Sequence, residues 1–389
     1  MRRLLLTGLI GTTALALMPA ASARDAAATV HTKALVLDGH ADVLLPETPG
    51  RYYLPGGGSR VDLPHLKAGS VDAVVLSVAV GPGPRDAAGV AAARREADAK
   101  LGLIRKLATD NPAAVGIARS PAEVEALHAQ GKVALIIGFQ NARSIGNDVA
   151  QLDVFYRAGV RVFALNHAGH NEFSDSSRPD KEPVAEHRGL SPLGREAVKR
   201  LNDLGALIDV SQLSTDALLQ TLALSRAPVA ATHSNARALI DNTRNLSDAE
   251  LDAIKANGGI VQLTPFSAYL HVASEAERAR VSQVRVKFGL PGAYKTAYDD
   301  SERLPPAQRE RYLDAASAAA PRATLAEYAD HIDYVAKRIG WQHVGIGTDF
   351  DHGAGVTGFD SEAEAPNVTA ELLKRGYSAD QVDAIWGGN

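Results

Sequence analysis

Eight short apolar segments, rich in branched residues, alternate along the chain with segments of helical periodicity. Apolar runs of this length are typical of parallel strands whose two faces are both covered. Strands separated by helices in this order predict an α/β fold, a closed (β/α)8 barrel of the TIM type. The eight predicted strands are residues 34–42, 71–80, 133–139, 159–166, 206–210, 228–232, 259–263 and 343–347.

The segments between the strands carry recognisable signals for the start of a helix. Ser120 and Ser191 each precede a proline, and Ser247 with Glu250 has the spacing of a capping box. An open, doubly wound sheet is the alternative arrangement for such a chain. Because no G-x-G-x-x-G sequence follows the first strand, the closed barrel is favoured.

Two of the connections are longer than a barrel loop requires. Residues 169–189 are polar, and residues 267–323 contain helical stretches at 274–288 and 305–319. Loops of this size on a barrel commonly form lids or walls of the active site. We therefore expect residues 24–389 to form a single barrel domain with a long insertion after strand seven.

The first 23 residues have the composition of a secretory signal peptide. Arg2 and Arg3 precede an apolar run, residues 4–18, and the small residues Ala21, Ser22 and Ala23 close it. A membrane anchor is the alternative, for which this run is short. We expect export to the periplasm or the medium, with no stable membrane insertion after cleavage. The absence of cysteine excludes disulfides and thiolate chemistry.

The charge of the chain gives little support to a macromolecular ligand. The formal net charge is −4, and no long basic stripe with interleaved aromatic residues is present. Nucleic-acid binding is therefore not expected. A homodimer is compatible with the sequence, which does not decide the oligomeric state.

Side chains that bind metals recur where the predicted strands end, the edge of a barrel that carries catalytic groups. His40 and Asp42 end the first strand and point to the same face because they lie two residues apart. His233 follows the sixth strand and Asp349 the eighth. Imidazole and carboxylate ligands suit zinc and similar divalent ions. The sequence therefore predicts a metal site at this edge.

Asp349 and two further residues have candidate catalytic or binding roles at that site. Asp349 can also accept a proton from an attacking water and pass it to a leaving amine. A helix cap is the alternative role at this position, for which the neighbouring Asp351 is better placed. His167 is placed to stabilise an oxyanion, and Arg244 to bind a carboxylate. A buried structural histidine and a structural salt bridge are the alternatives for these last two residues.

These residues lie in ordered motifs that resemble those of the membrane (renal) dipeptidase family, a branch of the amidohydrolase-like metallo-barrels. The resemblance covers about residue 36 to residue 389, and the family normally continues for a short C-terminal segment; the sequence does not decide whether this C-terminus is truncated. The motifs are Leu37-Asp38-Gly39-His40-Ala41-Asp42, Val61-Asp62-Leu63-Pro64, Gly159-Val160-Arg161-Val162-Phe163-Ala164-Leu165-Asn166-His167, Thr232-His233-Ser234-Asn235-Ala236-Arg237, Thr243-Arg244-Asn245-Leu246-Ser247-Asp248 and Gly345-Ile346-Gly347-Thr348-Asp349-Phe350-Asp351.

The resemblance implies hydrolysis of dipeptides at a site for two metal ions. His40 and Asp42 are implied to hold one ion and His233 the other, with Asp349 acting on the catalytic water. The resemblance also implies two substrate-binding residues. His167 is implied to face the substrate carbonyl, and Arg244 to bind the terminal carboxylate of the dipeptide.

Two residues depart from the family's pattern, since Gln140 falls on its bridging glutamate and Gln212 on a histidine ligand. Two divalent ions about 3.5 Å apart repel by roughly 19 kcal/mol at an effective dielectric near 20. A neutral carboxamide offsets less of this repulsion than a carboxylate does. We therefore expect one zinc ion rather than two, held by His40, Asp42 and Asp349.

The sequence thus predicts an exported metallopeptidase that hydrolyses dipeptides with a metal-activated water. One alternative is a one-metal amidohydrolase acting on another small amide or ester. The other is a non-catalytic binding protein that retains the barrel and its cleft. Gln140 and Gln212 are the reason for keeping both alternatives open.

Overall fold

The structure is a computed structural model and describes residues 20–178, 184–294 and 298–389. The expected signal peptide, residues 1–23, lies outside the described residues except for its last four, which open the first helix, α1 (Ala20–His31). Export therefore stays a prediction. Across the described ranges, no helix combines the length and the apolar character that crossing a membrane requires.

The described part of the chain contains one parallel sheet of nine strands. Eight of them follow one another in the order β1-β2-β4-β5-β6-β7-β8-β9, and β3 pairs with the first half of β4. The strands are β1 (Leu37–Asp42), β2 (Ala73–Ala79), β3 (Val115–Ala118), β4 (Val133–Gln140), β5 (Val160–Ala164), β6 (Leu207–Asp209), β7 (Ala230–Ala231), β8 (Ile260–Leu263) and β9 (Val344–Ile346).

The sheet closes where β1 meets the residues that follow β9. Ala41 forms a parallel bridge with Phe350, and the backbone N–H of Asp42 donates to the carbonyl oxygen of Phe350 at 2.9 Å. The backbone N–H of Asp349 donates to the carbonyl oxygen of His40 at 2.7 Å. The predicted (β/α)8 barrel and its eight strands are confirmed. The extra strand β3 was not predicted, because it is only four residues long and two of these are only partly buried.

Helices cover the outside of the barrel, and the predicted caps form. The side chains of Ser120 and Ser191 accept backbone N–H bonds, and Ser247 with Glu250 forms the predicted capping box. After α1 the helices are α2 (Leu63–Ala68), α3 (Ala87–Asp110), α4 (Pro121–His128), α5 (Gln151–Arg157), α6 (Pro192–Leu204), α7 (Thr215–Leu224), α8 (Asp248–Ala256), α9 (Ser267–Leu270), α10 (Glu275–Lys287), α11 (Pro306–Ala319), α12 (Leu325–Ile339), α13 (Ala365–Lys374) and α14 (Ala379–Asp383).

The core lies between the strands and this helical layer. All seven residues of β2 are buried, which is expected of a parallel strand with both faces covered. Helix α12 buries Ile332, Val335 and Ile339 along one stripe against the barrel. Each such aliphatic side chain contributes about 1.5–3 kcal/mol when it is removed from water. The resulting scaffold holds the strand ends in fixed relative positions.

The insertion after β8, the seventh strand of the barrel, contains helices α9, α10 and α11. Helices α10 and α11 pack around a small apolar cluster of their own that includes Leu290 and Tyr312. The insertion begins at the barrel itself, where the hydroxyl of Ser267 donates to the carbonyl oxygen of Gly355 at 2.8 Å. Tyr269, two residues later, is buried there. The insertion therefore contributes a fixed aromatic side chain to the carboxyl edge of the barrel.

Candidate metal-binding active site

His40, Asp42 and Asp349 converge at the carboxyl edge of the barrel. His40 Nε2 lies 3.6 Å from Asp42 Oδ1 and 3.9 Å from Asp349 Oδ1. All three side chains are buried, and one ligand atom from each lies within 4.8 Å of the other two. The three residues predicted to hold the first ion are thus close enough to share one cation.

The backbone around Asp349 explains why its carboxylate turns inward. Asp349 has a φ of 56°, in the left-handed region that aspartate tolerates better than most residues. The preceding Thr348 is fixed, because its N–H and hydroxyl both donate to the Asp38 carboxylate at 2.7 Å. Asp38 itself lies on β1, so the last strand is anchored to the first directly beside the ligands.

Asp351 does not cap a helix, contrary to the suggestion from the sequence. It also has a positive φ, 63°, and its carboxylate accepts bonds from the hydroxyl of Ser59 and from the backbone N–H of Arg60 at 2.8 Å. Asp351 therefore anchors the loop before α2 to the end of the barrel. The sequence could not indicate this because the two segments lie far apart along the chain.

The donor set fits a divalent ion. Among the described residues, His40 Nε2 and Asp42 Oδ1 are buried without a hydrogen-bond partner. Polar atoms buried in this way are costly unless a partner satisfies them. One imidazole nitrogen and two carboxylates are suitable ligands for zinc and leave a position open for water. An ion bound here would remove the cost of the unpartnered atoms.

His233 is held in one tautomer by its neighbours. Its Nδ1 lies 2.8 Å from Thr232 Oγ1, and the Thr232 hydroxyl donates to Asp209 Oδ2 at 2.6 Å. The hydroxyl proton is already used, so Nδ1 carries the ring proton and donates to Thr232. Burial, and then the charge of His40, lowers the pKa of His233 well below its ordinary value. His233 is therefore neutral, with a lone pair on Nε2.

Gln140 and Gln212 both lie against that lone pair. Their Nε2 atoms are 3.3 and 3.2 Å from His233 Nε2, and a nitrogen without a proton accepts the N–H of a carboxamide. The structure thus brings together the three residues assigned to the second ion. However, the strongest donor atom among them accepts hydrogen bonds from the two glutamines.

Asp209 is a carboxylate of this edge to which the sequence assigned no role. It forms a second possible ligand group with His40 and His233. Its oxygens already accept four hydrogen bonds, two from Ser211 and two from Thr232. Asp209 is therefore better suited to orient Thr232, and through it His233, than to bind an ion.

His352 is a second site residue that the sequence did not single out. Its Nδ1 lies 2.8 Å from Asp42 Oδ2. Burial opposes the shift, but the charge and hydrogen bond of His352 lower the pKa of Asp42 well below its ordinary value. The predicted residue His167 lies edge-on to His352, with ring centroids 4.9 Å apart. His352 directly follows the Gly345–Asp351 motif, and this position in the sequence could have identified it as a site residue.

A cavity of about 510 Å³ opens beside these two histidines. Asp42, Tyr52, Lys100, His167 and His352 are among the residues that line it. This volume is within the range of small-molecule sites. The Nδ1 atom of His167 is buried and, among the described residues, has no hydrogen-bond partner. It therefore remains available to a bound molecule.

Arg244 is buried next to the candidate metal ligands. Its Nη1 donates to Ser211 O at 2.7 Å and to the Ser234 hydroxyl at 3.2 Å, and its Nη2 donates to His233 O at 2.7 Å. A guanidinium has five N–H groups. These three hydrogen bonds use both N–H groups of Nη1 and one of Nη2, which leaves one N–H on Nη2 and the N–H on Nε for a ligand. In the described part of the chain, Nε has no partner and Arg244 forms no salt bridge. The adjacent Nε and Nη2 groups form a fork that matches a carboxylate.

Comparison with known protein families supplies the decisive observation. The model of the family described as membrane dipeptidase (Peptidase family M19) matches residues 24–389. This chain belongs to the membrane dipeptidase family. The resemblance inferred from the motifs is thereby confirmed, and the chain is a metal-dependent hydrolase of the dipeptidase type.

Curated relatives of this membrane dipeptidase family member include fungal proteins. Dipeptidase aclJ of Aspergillus oryzae is 30% identical over 335 residues, which are 85% of this chain and 68% of the relative. Dipeptidase tcpJ of Claviceps purpurea is 30% identical over 334 residues, 85% of this chain and 67% of the relative. Both names agree with a dipeptide-hydrolysing enzyme.

Solved structures of bacterial membrane dipeptidase relatives have the same fold. The probable dipeptidase PvdM from Pseudomonas aeruginosa has a TM-score of 0.84 and 36% identity, covering 95% of this chain and 97% of that protein. A metallopeptidase from Rhodobacter sphaeroides, liganded with a phosphinate mimic of the dipeptide L-Ala-D-Ala, has a TM-score of 0.70 and 25% identity. That match covers 90% of this chain and 96% of the Rhodobacter protein.

Proposed function

We propose that this chain hydrolyses dipeptides with a single zinc ion held by His40, Asp42 and Asp349. The observation that carries the proposal is the convergence of these three buried side chains, two of which present unpartnered ligand atoms among the described residues. When bound, zinc lowers the pKa of a water molecule and polarises the carbonyl that the water attacks.

Asp349 moves the proton in this proposal. Its carboxylate has two oxygens, so one can bind the ion while the other acts as a base. It accepts the proton of the attacking water and delivers it to the nitrogen of the departing amine. His167 faces the substrate carbonyl and stabilises the negative charge that develops on its oxygen. Burial lowers the pKa of His167 well below its ordinary value, so it acts as a neutral hydrogen-bond donor.

Arg244 selects substrates with a free carboxylate next to the scissile bond. Its three structural hydrogen bonds orient the guanidinium, so that little conformational entropy is lost when the fork of Nε and Nη2 binds a ligand. The Rhodobacter relative was solved with a mimic of a dipeptide. The cavity beside His167 and His352 has a volume of about 510 Å³, which is in the range of small-molecule sites.

The two glutamines are the reason for proposing one ion. His233 Nε2 accepts hydrogen bonds from both carboxamides, so a second ion would have to displace them. Neither glutamine adds the negative charge that would offset the repulsion between two divalent ions. In this proposal His233 does not bind metal; it holds the side chains of Gln140 and Gln212 in place through hydrogen bonds.

Metal analysis together with a dipeptide assay tests the proposal. We expect about one zinc per chain after exhaustive dialysis, with hydrolysis of L-Ala-D-Ala or L-Ala-L-Ala that a chelator abolishes and zinc restores. Two tightly bound ions would contradict the argument from the glutamines. One ion with turnover only of other amides or esters would favour the one-metal amidohydrolase. The absence of both bound metal and turnover would favour the non-catalytic binding protein.

Replacing the two glutamines with stronger metal ligands should allow a second ion to bind. In the double variant Gln140→Glu with Gln212→His, we expect the zinc content to rise from about one toward two per chain. Mass spectrometry of the metal content measures this directly, without any assay of turnover. The control is Gln220→Glu, which adds a carboxylate on the outer helix α7 beside Arg195 and should leave the count unchanged. An unchanged count in the double variant would refute the assigned ligand positions.

A further inference from the structure

A second arginine, Arg178, reaches the same side of the site as Arg244. Arg178 Nη1 donates a hydrogen bond to the Tyr269 hydroxyl at 2.9 Å. The guanidinium carbon of Arg244 lies 5.5 Å from the centroid of the Tyr269 ring. Tyr269 is buried at the start of the insertion, so one fixed side chain positions both guanidinium groups. Arg178 precedes the insertion by some ninety positions in the sequence, in the long loop after β5.

The described contacts of the Arg178 side chain include a neutral hydroxyl and no carboxylate. Over the described ranges it forms no ion pair with an aspartate or glutamate, and its side chain is half-buried. By contrast Arg375, on the outer surface, pairs with Asp330, Asp333 and Glu371. A half-buried guanidinium whose partner is a neutral hydroxyl retains donors for an anion. Arg178 therefore has the properties of a binding group rather than of a structural ion pair.

Arg178 also lies within electrostatic range of the candidate catalytic groups. Burial lowers the pKa of His167 well below its ordinary value, and the positive charges of His352 and Arg178 lower it further. The negative charge of Asp349 is in turn among the causes that raise the pKa of Arg178, after the contact with Tyr269. Arg178 and Arg244 therefore present two positive charges to a molecule bound at the metal.

One carboxylate does not need two guanidinium groups when Arg244 already offers a complete fork. We propose that Arg178 binds a second anionic group of the substrate, the side-chain carboxylate of an aspartate or glutamate at the C-terminal position of the dipeptide. Arg244 binds the terminal carboxylate of the same residue. This inference rests on the proposed hydrolysis of dipeptides and names the substrate class that the site prefers.

Matched dipeptides test the preference. The probes are Ala-Glu and Ala-Gln, which differ only in side-chain charge, each with the D- and the L-configuration at the C-terminal residue. We expect wild-type kcat/KM to be about tenfold or more higher for the acidic dipeptide, mainly through KM. Arg178→Gln should remove this preference, because it should lower kcat/KM for Ala-Glu much more than for Ala-Gln or Ala-Ala. Arg280→Gln, an exposed position on α10, is the control and should change neither value.

The outcomes separate this inference from the proposed function. If the wild type hydrolyses dipeptides without favouring Ala-Glu, the role of Arg178 is wrong and the hydrolytic function stands. If Arg178→Gln slows Ala-Ala as much as Ala-Glu, both arginines bind one carboxylate and the inference fails. Calorimetry with free glutamate and glutamine provides a readout without turnover. Preferential binding of glutamate that Arg178→Gln abolishes supports the anion site even if no dipeptide is hydrolysed; equal binding overturns it.

Discussion

Asp349→Asn is expected to lower kcat/KM for a dipeptide by about 10³-fold or more. The substitution keeps the size of the side chain and the tolerance for a positive φ, but it removes the negative charge that faces His40 Nε2. The variant loses both a metal ligand and the group that accepts the proton. We also expect weaker zinc binding, which is measured by titration with a competing chelator.

Asp351→Asn is the matched control for this experiment. Asp351 has the same unusual backbone conformation and similar burial, yet its carboxylate contacts Ser59 and Arg60 instead of the metal ligands. We expect this variant to keep most of its activity and its zinc. Equal losses in the two variants would show that the end of the barrel is sensitive to any substitution. A fully active Asp349→Asn would refute the proposed mechanism.

Arg244→Lys is expected to raise KM for dipeptides by about 10²-fold, with a smaller effect on kcat. Lysine keeps the charge but lacks the fork of Nε and Nη2 that the proposal assigns to the terminal carboxylate. The substitution also leaves at least one of the carbonyl oxygens of Ser211 and His233 without its donor. We therefore expect a loss of stability of about 1–3 kcal/mol, to be measured by denaturant unfolding.

A substrate variant separates binding from folding at Arg244. The C-terminal amide of Ala-Ala lacks the carboxylate, so wild-type KM for this amide should exceed that for Ala-Ala by a similar factor of about 10². Arg244→Lys should discriminate much less between the two substrates. If the wild type hydrolyses Ala-Ala and its C-terminal amide equally well, Arg244 does not bind the terminal carboxylate. This conclusion would hold for any result with Arg244→Lys.

The barrel and the convergence of its candidate metal ligands were predictable because local patterns specify them. Long apolar runs such as β2 and β4 identify strands, and the carboxyl ends of parallel strands meet at one edge. The sequence alone therefore places His40, Asp42 and Asp349 together at this edge. The short strand β3 was missed, because four residues, two of them only partly buried, carry no periodicity that can be read from the sequence.

The contacts that determine how the site works were not predictable in the same way. His352 binds Asp42 across the junction of the first and last strands, and Arg178 meets Tyr269 from a distant loop. Such pairs depend on how loops fold back over the barrel, which hydrophobic periodicity does not report. The position of Gln140 and Gln212 around His233 could be expected, but their hydrogen bonds to its Nε2 could not.

The junction of β1 with the segment after β9 has a consequence for how the protein resists unfolding. Its backbone bonds join Asp42 to Phe350 and Asp349 to His40, residues more than three hundred positions apart. An ion bound by these aspartates and His40 would link the same two segments through their side chains. Native-state stability would then grow with the logarithm of free zinc concentration, since unfolded chains lack the assembled ligands. At low zinc concentration this junction would lose that added stability.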